Sequence, residues 1–231
     1  MYKRQLWEWS RWWARARHGP AGPFALDPSG SPWVLTGDPQ GDQSLWDPAG
    51  RAVLSTRGAR GVIPGVDGVW LGNRAGELFR AARGKLTRTD LGVALLGLGP
   101  GPDGPIWVGR NARDQCLLRQ GTGAPWVLPR QLQSYLRGIP FLSLAAGARG
   151  AVWIAGAGER RVVLVRPGSS KVLGCVLEAS PRRLVSDGNG GVVALLPGGI
   201  ARVDRRAVRR PGQGGFASCQ DLTWLRRSGA R

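Results

Sequence analysis

A tryptophan followed by an aliphatic residue recurs along the chain at nearly constant spacing. The recurring pattern is an apolar stretch, a turn and then this Trp segment, as in IPGVDGVWLGN at 63–73 and LAAGARGAVWIAG at 144–156. The key position is occupied in turn by Trp33, Trp70, Trp107, Trp153, Val193 and Trp224, with spacings of 37, 37, 46, 40 and 31 residues. Such a period is typical of proteins built from stacked structural repeats.

A second motif, an apolar pair usually followed by Arg, comes after each of the first five copies. Two examples are ELFRAARG at 77–84 and VLVRPGSS at 163–170. Each period therefore holds four short strand-like segments, separated by turns in which Gly68, Gly104 and Gly150 can supply positive φ. The 37 glycines and 17 prolines agree with many tight turns and few helices. Four strands in about 40 residues predict a blade of a β-propeller.

The sequence therefore predicts one all-β propeller domain over residues 1–231, with about six four-stranded blades. The predicted complete blades are 24–61, 62–96, 97–141, 142–182 and 183–215. Residues 1–23 and 216–231 are each interpreted as half a blade, because QLWEWSR at 5–11 aligns with the second motif and Trp224 with the first. Pairing of the two ends would close the ring and remove exposed sheet edges. The alternative is an open fragment of a larger propeller.

One tryptophan per blade suggests a structural role, because a buried indole fills the wedge between neighbouring sheets. The predicted blade-core positions are Trp33, Trp70, Trp107, Trp153, Val193 and Trp224. The competing interpretation is a ring of exposed aromatic side chains that stack on sugars.

The net charge of +18 raises the possibility of a polyanionic partner. The 33 basic residues are almost all arginine, lysine occurring only at Lys3, Lys85 and Lys171, and they are scattered. This distribution favours a solvated basic surface, with nucleic-acid or polyanion binding as a weaker alternative. No apolar run in the sequence reaches the length of a membrane span. The chain is expected to be a monomer.

Catalytic and metal-binding patterns are sparse. His18 is the only histidine, which argues against a His-based metal site or catalytic triad. Cys116, Cys175 and Cys219 lack metal-ligand spacing, and their odd number argues against a disulfide framework, so they are interpreted as small buried residues. The sequence predicts no metal, no cofactor and no enzymatic activity.

The repeat unit resembles the tectonin repeat of tachylectin-type propellers. The resemblance rests on Leu26–Leu35 (LDPSGSPWVL), Val66–Arg80 (VDGVWLGNRAGELFR) and Pro102–Arg119 (PDGPIWVGRNARDQCLLR). The chain departs from that family where a Gly commonly follows the Trp, since Val34, Leu71, Val108 and Ile154 stand there. The WLGN and WVGR segments also resemble repeats of two-component-regulator and streptogramin-lyase-like propellers.

The tectonin resemblance implies a non-catalytic recognition module for a carbohydrate or protein ligand. The sensor resemblance implies instead an extracytoplasmic segment of a larger bacterial signalling protein, and the compartment stays open. Ligands are expected at the loops between second and third strands and at the links between blades. The candidate ligand-binding residues in these loops are Asp42, Asn73, Arg74, Arg110, Asn111, Arg113, Glu159 and Arg160.

Overall fold

A computed structural model describes residues 21–38, 41–208 and 223–225 of the chain. Within these residues β-strands dominate, and the one α-helix has seven residues. The chain divides into two compact units, residues 1–95 and residues 96–231. The all-β class predicted from the sequence is confirmed.

The first unit contains two antiparallel sheets, each with its four strands in sequence order. The first sheet consists of β1 (Ala21–Leu26), β2 (Pro32–Gly37), β3 (Asp42–Trp46) and β4 (Ala52–Arg57). The second sheet consists of β5 (Ala59–Pro64), β6 (Val69–Asn73), β7 (Glu77–Ala82) and β8 (Lys85–Asp90). Each sheet therefore spans one period of the sequence repeat.

The core of the first unit lies between these two sheets. Leu35 and Leu45 from the first sheet pack in one cluster with Val62, Leu71 and Phe79 from the second. Burial of such side chains stabilises the unit, because apolar surface removed from water contributes about 25 cal/mol per Å². The outermost strand β8 is exposed along its whole length, and its residues KLTRTD are mostly polar.

The second unit contains three further sets of four strands, except that the first two residues of β9 belong to the first unit. The third sheet consists of β9 (Ala94–Gly101), β10 (Gly104–Arg110), β11 (Cys116–Gln120) and β12 (Trp126–Val127). The fourth consists of β13 (Leu142–Ala146), β14 (Val152–Gly156), β15 (Arg161–Val165) and β16 (Leu173–Val176). The fifth consists of β17 (Arg183–Ser186), β18 (Val192–Leu196), β19 (Gly199–Val203) and β20 (Thr223–Leu225). Helix α1 (Arg130–Leu136) lies between β12 and β13.

The third and fourth sheets are joined through their first strands. β9 and β13 run parallel, with Gly97 opposite Leu142 and Leu98 opposite Ser143. A Cβ atom on Gly97 would lie 2.5 Å from the carbonyl oxygen of Leu142, so this close approach requires glycine. The two sheets therefore form one eight-stranded sheet, a connection that the sequence analysis did not predict.

Apolar clusters fill the space on both sides of the fourth sheet. Ile154 and Val163 pack towards residues of the third sheet such as Val108, whereas Trp153 and Val162 belong to the cluster that includes the fifth sheet. Strands buried on both faces need apolar residues at successive positions rather than at alternate ones. The sequences VWIAG of β14 and RVVLV of β15 have this character.

The structure corrects the interpretation of Trp224 as the start of another blade. Thr223–Leu225 forms β20, which pairs with β19 as the fourth strand of the fifth sheet, with Trp224 opposite Ala201. The predicted blade segment 183–215 ends in RRPGQGG, and Pro and Gly are depleted in strands. The apolar and β-branched segment TWL supplies the strand instead. Residues 1–20 of the predicted half blade 1–23 lie outside the described residues, and its last three residues belong to β1 of the first sheet.

Two of the three turn glycines behave as expected. Gly104 and Gly150 have φ of +125° and +69°. Gly68 does not adopt positive φ, but a Cβ atom there would overlap the carbonyl oxygen of Ala81. Position 68 therefore requires glycine because of close packing and not because of its backbone conformation.

The described part of the chain contains no helix long and apolar enough to cross a membrane.

Candidate functional site

Alternation of strand direction gives each four-stranded sheet two distinct ends. One end carries the loop between second and third strands and the link to the next sheet, and is called the connection end here. The other, called the hairpin end, carries the turns between first and second and between third and fourth strands. All eight predicted ligand-binding residues lie at or next to loops of the connection end. Asp42, Asn73 and Arg74 belong to the first unit and the other five to the second.

Asn73 is buried and its side chain holds the first unit together. Its Nδ2 donates to Thr56 Oγ1 at 2.9 Å and also to the Glu77 carboxylate, while its Oδ1 accepts from the Glu77 backbone N–H at 3.0 Å. Thr56 lies in the first sheet and Asn73 in the second, so this carboxamide links the two. All its polar groups are engaged, which makes it a structural residue.

Asp42 lies exposed at the start of β3. Its carboxylate forms an ion pair with Arg57 at 3.3 Å, and both side chains are more than three-quarters exposed. An exposed pair of this kind contributes little to stability, because water screens both charges. Asp42 is therefore accessible, with its charge partly offset by a neighbour.

Arg74 is exposed at the end of β6, and a second arginine that the sequence analysis missed lies beside it. Arg60 occupies a bulge in β5, between the pairs Ala59–Asn73 and Gly61–Gly72. Burial lowers the pKa of the Arg60 guanidinium, and the positive charge of Arg74 lowers it further. Gly61, the residue after the bulge, has a φ of +138°. No pattern in the sequence predicted the bulge.

In the second unit, Arg110 is the last residue of β10, and Asn111 begins the loop that follows. The Oδ1 of Asn111 accepts backbone N–H groups from Arg113 and Gln115, each at 3.0 Å, and thereby closes the loop. The Nε of Arg110 lies 3.4 Å from the Asp114 carboxylate. Asn111 therefore shapes the loop, and Arg113 remains exposed at its tip.

Helix α1 belongs to an insertion, residues 128–141, at the connection end of the third and fourth sheets. Gln133 anchors the insertion by donating to the Leu128 carbonyl at 2.7 Å and accepting from the Cys116 N–H at 3.3 Å. Leu132 and Leu136 of the helix are buried in the core cluster. The insertion is thus a packed part of the second unit.

Tyr135 of this helix lies beside the loop that carries Glu159 and Arg160. The guanidinium carbon of Arg161 is 5.3 Å from the centre of the Tyr135 ring, a cation–π geometry. Burial, together with the nearby Glu159 charge, raises the pKa of Tyr135 to about 12. The Tyr135 hydroxyl is buried and has no hydrogen-bond partner among the residues described. Arg160 itself is exposed, and its carbonyl accepts from the Leu177 N–H at 2.8 Å.

The structure thus groups Glu159, Tyr135 and Arg161, a cluster we call the Tyr135 cluster, of which only Glu159 was predicted. Tyr135 was missed because it lies in a helical insertion that interrupts the repeat. Arg161 was missed because it is the first residue of β15 rather than part of the loop.

The blade-core positions differ in burial. Trp153 and Trp107 are 0% and 3% exposed, whereas Trp33, Trp70 and Val193 are half-buried, and the side chain of Trp224 lies outside the description. The Trp33 indole donates to Asp27 at 3.1 Å within its own hairpin. Trp70 lies against Gly65, where a Cβ atom would come within 2.8 Å of the ring, and under the Arg80 guanidinium.

Aspartates of the hairpin end serve the turns themselves. Asp187 Oδ1 accepts N–H groups of Asn189 and Gly191 at 2.8 and 2.9 Å, and its Oδ2 pairs with Arg202 at 2.8 Å. Burial opposes ionisation of this carboxyl, but the hydrogen bonds and the Arg202 charge outweigh burial and lower its pKa. Asp27 and Asp47 accept comparable bonds in the first sheet.

The cysteines also depart from expectation. Cys175 is disulfide-bonded, which contradicts the interpretation of all three cysteines as plain buried residues. Cys116 is a buried free thiol, and Cys219 lies outside the described residues. In the described ranges, no three His, Cys, Asp or Glu side chains converge as a metal site would require.

Comparison with known proteins places the chain among β-propeller folds. The β-propeller domain of Cps50 (Swd1) from Myceliophteria thermophila matches with a TM-score of 0.56 at 10% identity, over 90% of this chain and 71% of that one. A streptogramin B lyase matches with a TM-score of 0.57 at 13% identity, over 84% and 68%. A chain of a nidogen/laminin complex matches with a TM-score of 0.53 at 13% identity, over 85% and 83%. No family model matches the chain, and no curated protein sequence does.

These similarities support a propeller or partial propeller built from repeats, without singling out the tectonin family. They also overturn the sequence-based expectation that the chain is not an enzyme. Streptogramin B lyase has the same fold, so the propeller repeat gives no ground for that exclusion. The shared fold does not by itself establish an activity, because unrelated functions occur on one fold.

Proposed function

We propose that this chain is a propeller recognition module that binds a protein ligand at the connection end of its second unit. The observation that carries the proposal is the Tyr135 cluster. The Tyr135 hydroxyl is buried and has no hydrogen-bond partner in the part of the chain described. A buried polar group without a partner costs about 1–3 kcal/mol, so a ligand that displaces the side chains covering this hydroxyl and bonds to it recovers that energy.

The composition of the cluster suits a protein ligand. Tyr and Arg are enriched at the centres of protein interfaces, because each combines a large contact area with directional hydrogen bonding. Arg161 is exposed while its guanidinium lies against the Tyr135 ring, so it is held in place before any ligand arrives. The nidogen/laminin complex shows that a similar propeller takes part in a protein complex, which supports this choice of ligand class.

The proposal is tested by capturing partners on the immobilised chain and comparing variants. Tyr135→Ala and Arg161→Ala should each reduce capture of the same identified partner at least about tenfold, the loss expected when an interface anchor worth more than about 1.4 kcal/mol is truncated. Lys171→Ala, an exposed substitution at the hairpin end of the fourth sheet, is the matched control and should leave capture unchanged. Equal capture by all three variants would refute the proposed site.

A carbohydrate ligand is the second candidate, supported by the resemblance to tectonin repeats. Arg113 and Arg160 at the same end are exposed and form no ion pair with another described residue, so they could bind an acidic sugar through bidentate hydrogen bonds. A glycan array tests this candidate. Binding of acidic glycans that is lost in an Arg113→Gln/Arg160→Gln double variant would support it, and an array without binding would eliminate it.

A further inference from the structure

Two arginines of the second sheet, Arg60 and Arg74, form a second feature at the connection end, within the first unit and separate from the Tyr135 cluster. Arg60 lies on β5 and Arg74 directly follows β6, next to the pair formed by Ala59 and Asn73. The backbone N–H of Arg74 donates to the Gly58 carbonyl at 2.8 Å, which holds the ends of the two strands together. The backbone segments that carry the two arginines are therefore hydrogen-bonded to each other.

The backbone around Arg60 departs from regular strand geometry. Arg60 is the extra residue of a β-bulge, and Gly61 has a φ of +138° that other residues rarely adopt. The Ala59 N–H, just before the bulge, is held by the buried side chain of Gln43 at 2.7 Å. Bulges of this kind are frequent beside binding sites, because they redirect a side chain out of the regular pleat.

The positively charged guanidinium of Arg60 is not paired with a negatively charged side chain among the described residues. Its Nε is buried and has no hydrogen-bond partner there, and neither Arg60 nor Arg74 forms an ion pair with a described acidic residue. Burial and the like charge of Arg74 both lower the pKa of Arg60. Two adjacent cations, one of them half-buried, are an unfavourable arrangement unless an anion joins them.

We propose that Arg60 and Arg74 bind an oxyanion, a carboxylate or phosphate group of a ligand. The planar guanidinium presents paired N–H donors that match two oxygens on one carbon or phosphorus atom. Arg60 supplies a partly desolvated donor, for which the anion replaces lost water, and the exposed Arg74 closes over it from the loop. The site does not depend on the protein-binding role of the second unit.

The experiment follows thermal unfolding of the whole chain by tryptophan fluorescence at constant ionic strength, with inorganic phosphate or succinate replacing chloride. We expect a saturable rise in Tm with at least one of these two anions, and isothermal titration calorimetry should give one site per chain. A response to phosphate alone or to succinate alone identifies the group that the site prefers. No saturable response to either anion would overturn the proposal.

Three variants separate this site from general charge screening. Arg60→Met and Arg74→Gln should each abolish the saturable rise, and Arg74→Gln tests the site without altering a buried side chain, because Arg74 is exposed. Lys85→Gln removes an exposed charge at the hairpin end of the same sheet and should keep the response. An unchanged response in the two arginine variants would contradict the assignment.

The chain without added anion provides an independent test. Because the buried charge of Arg60 has no partner in the described residues, Arg60→Met should unfold at the same temperature as the parent chain or at a higher one. A large drop in Tm would mean that Arg60 has a purely structural role, and it would overturn the proposal.

Discussion

The indole Nε1 of Trp153 donates a 3.1 Å hydrogen bond to the carbonyl oxygen of Gly190. Trp153 lies on β14 of the fourth sheet and Gly190 in the first turn of the fifth, so the bond joins two neighbouring sheets. The ring is completely buried and belongs to the cluster that contains Leu184, Ala194 and Val203 of the fifth sheet. The Trp153 side chain thus both packs in the apolar core between the two sheets and links them by a hydrogen bond.

Trp153→Ala should therefore be strongly destabilising. Removing a fully buried indole costs about 3–5 kcal/mol, because contacts are lost and a cavity remains. Trp153→Phe should cost less, about 1–3 kcal/mol, mainly through the buried Gly190 carbonyl left without its donor. Urea unfolding measures both changes, with Val66→Ala, at a side chain 73% exposed, as the control. Equal stability of Trp153→Ala and the control would contradict this packing.

Gly97→Ala tests the parallel pairing of β9 with β13. The added methyl group would lie 2.5 Å from the Leu142 carbonyl oxygen, so the strands must separate. We expect a loss of about 1–3 kcal/mol, as for other overpacked substitutions, measured by chemical denaturation. Gly198→Ala is the matched control, since a methyl group added there would have no atom within 4 Å and the φ of Gly198 lies outside the range that favours glycine. If both variants are equally stable, the two sheets are not joined in this way.

Asp187 should make the second unit sensitive to acid. Its pKa in the folded chain is lowered, so its stabilising contribution is present above the ordinary pKa of 3.8 and is lost as the pH falls through the lower folded value. Asp187→Asn should therefore lower stability at pH 7 and flatten the loss of stability below pH about 4. Unfolding at a series of pH values measures this, with exposed Asp103→Asn as the control. Parallel pH profiles for Asp187→Asn and the parent chain would rule out the role assigned to this carboxylate.

The two described cysteines should differ in reactivity. Burial raises the pKa of the Cys116 thiol, so it should resist maleimide at pH 7 in the folded chain and react once the chain is unfolded. Cys175 is disulfide-bonded and should react only after a reductant is added. Peptide mass spectrometry after labelling distinguishes the two. Rapid labelling of Cys116 in the folded protein would contradict its burial, and labelling of unreduced Cys175 would contradict its disulfide.

The repeat could be predicted because its signals are local. Hairpin glycines and the apolar segments around each tryptophan follow from turn geometry and strand burial, which act within one period. The joining of β9 to β13 depends on contacts between Gly97 and Leu142, which are distant in sequence. The fourth strand of the fifth sheet was misplaced because it comes from 223–225, beyond an intervening Pro- and Gly-rich segment.

Site residues were harder to predict because loop composition does not distinguish a ligand contact from a structural bond. Asn73 and Asn111 look like free polar residues in the sequence, yet their amides close loops and link sheets. Arg60 and Tyr135 are notable only through their tertiary surroundings, a bulge in β5 and an inserted helix. Neither feature leaves a periodic pattern.

Hydrogen–deuterium exchange of the chain, with and without the partner recovered by capture, tests the recognition proposal most directly. The account predicts slower exchange on binding in residues 128–141 and 156–161, which form the connection end around the Tyr135 cluster. It also predicts no change in the hairpin-end turns at 101–104 and 166–171. Protection confined to those turns, with unchanged exchange around Tyr135, would contradict the proposed binding surface.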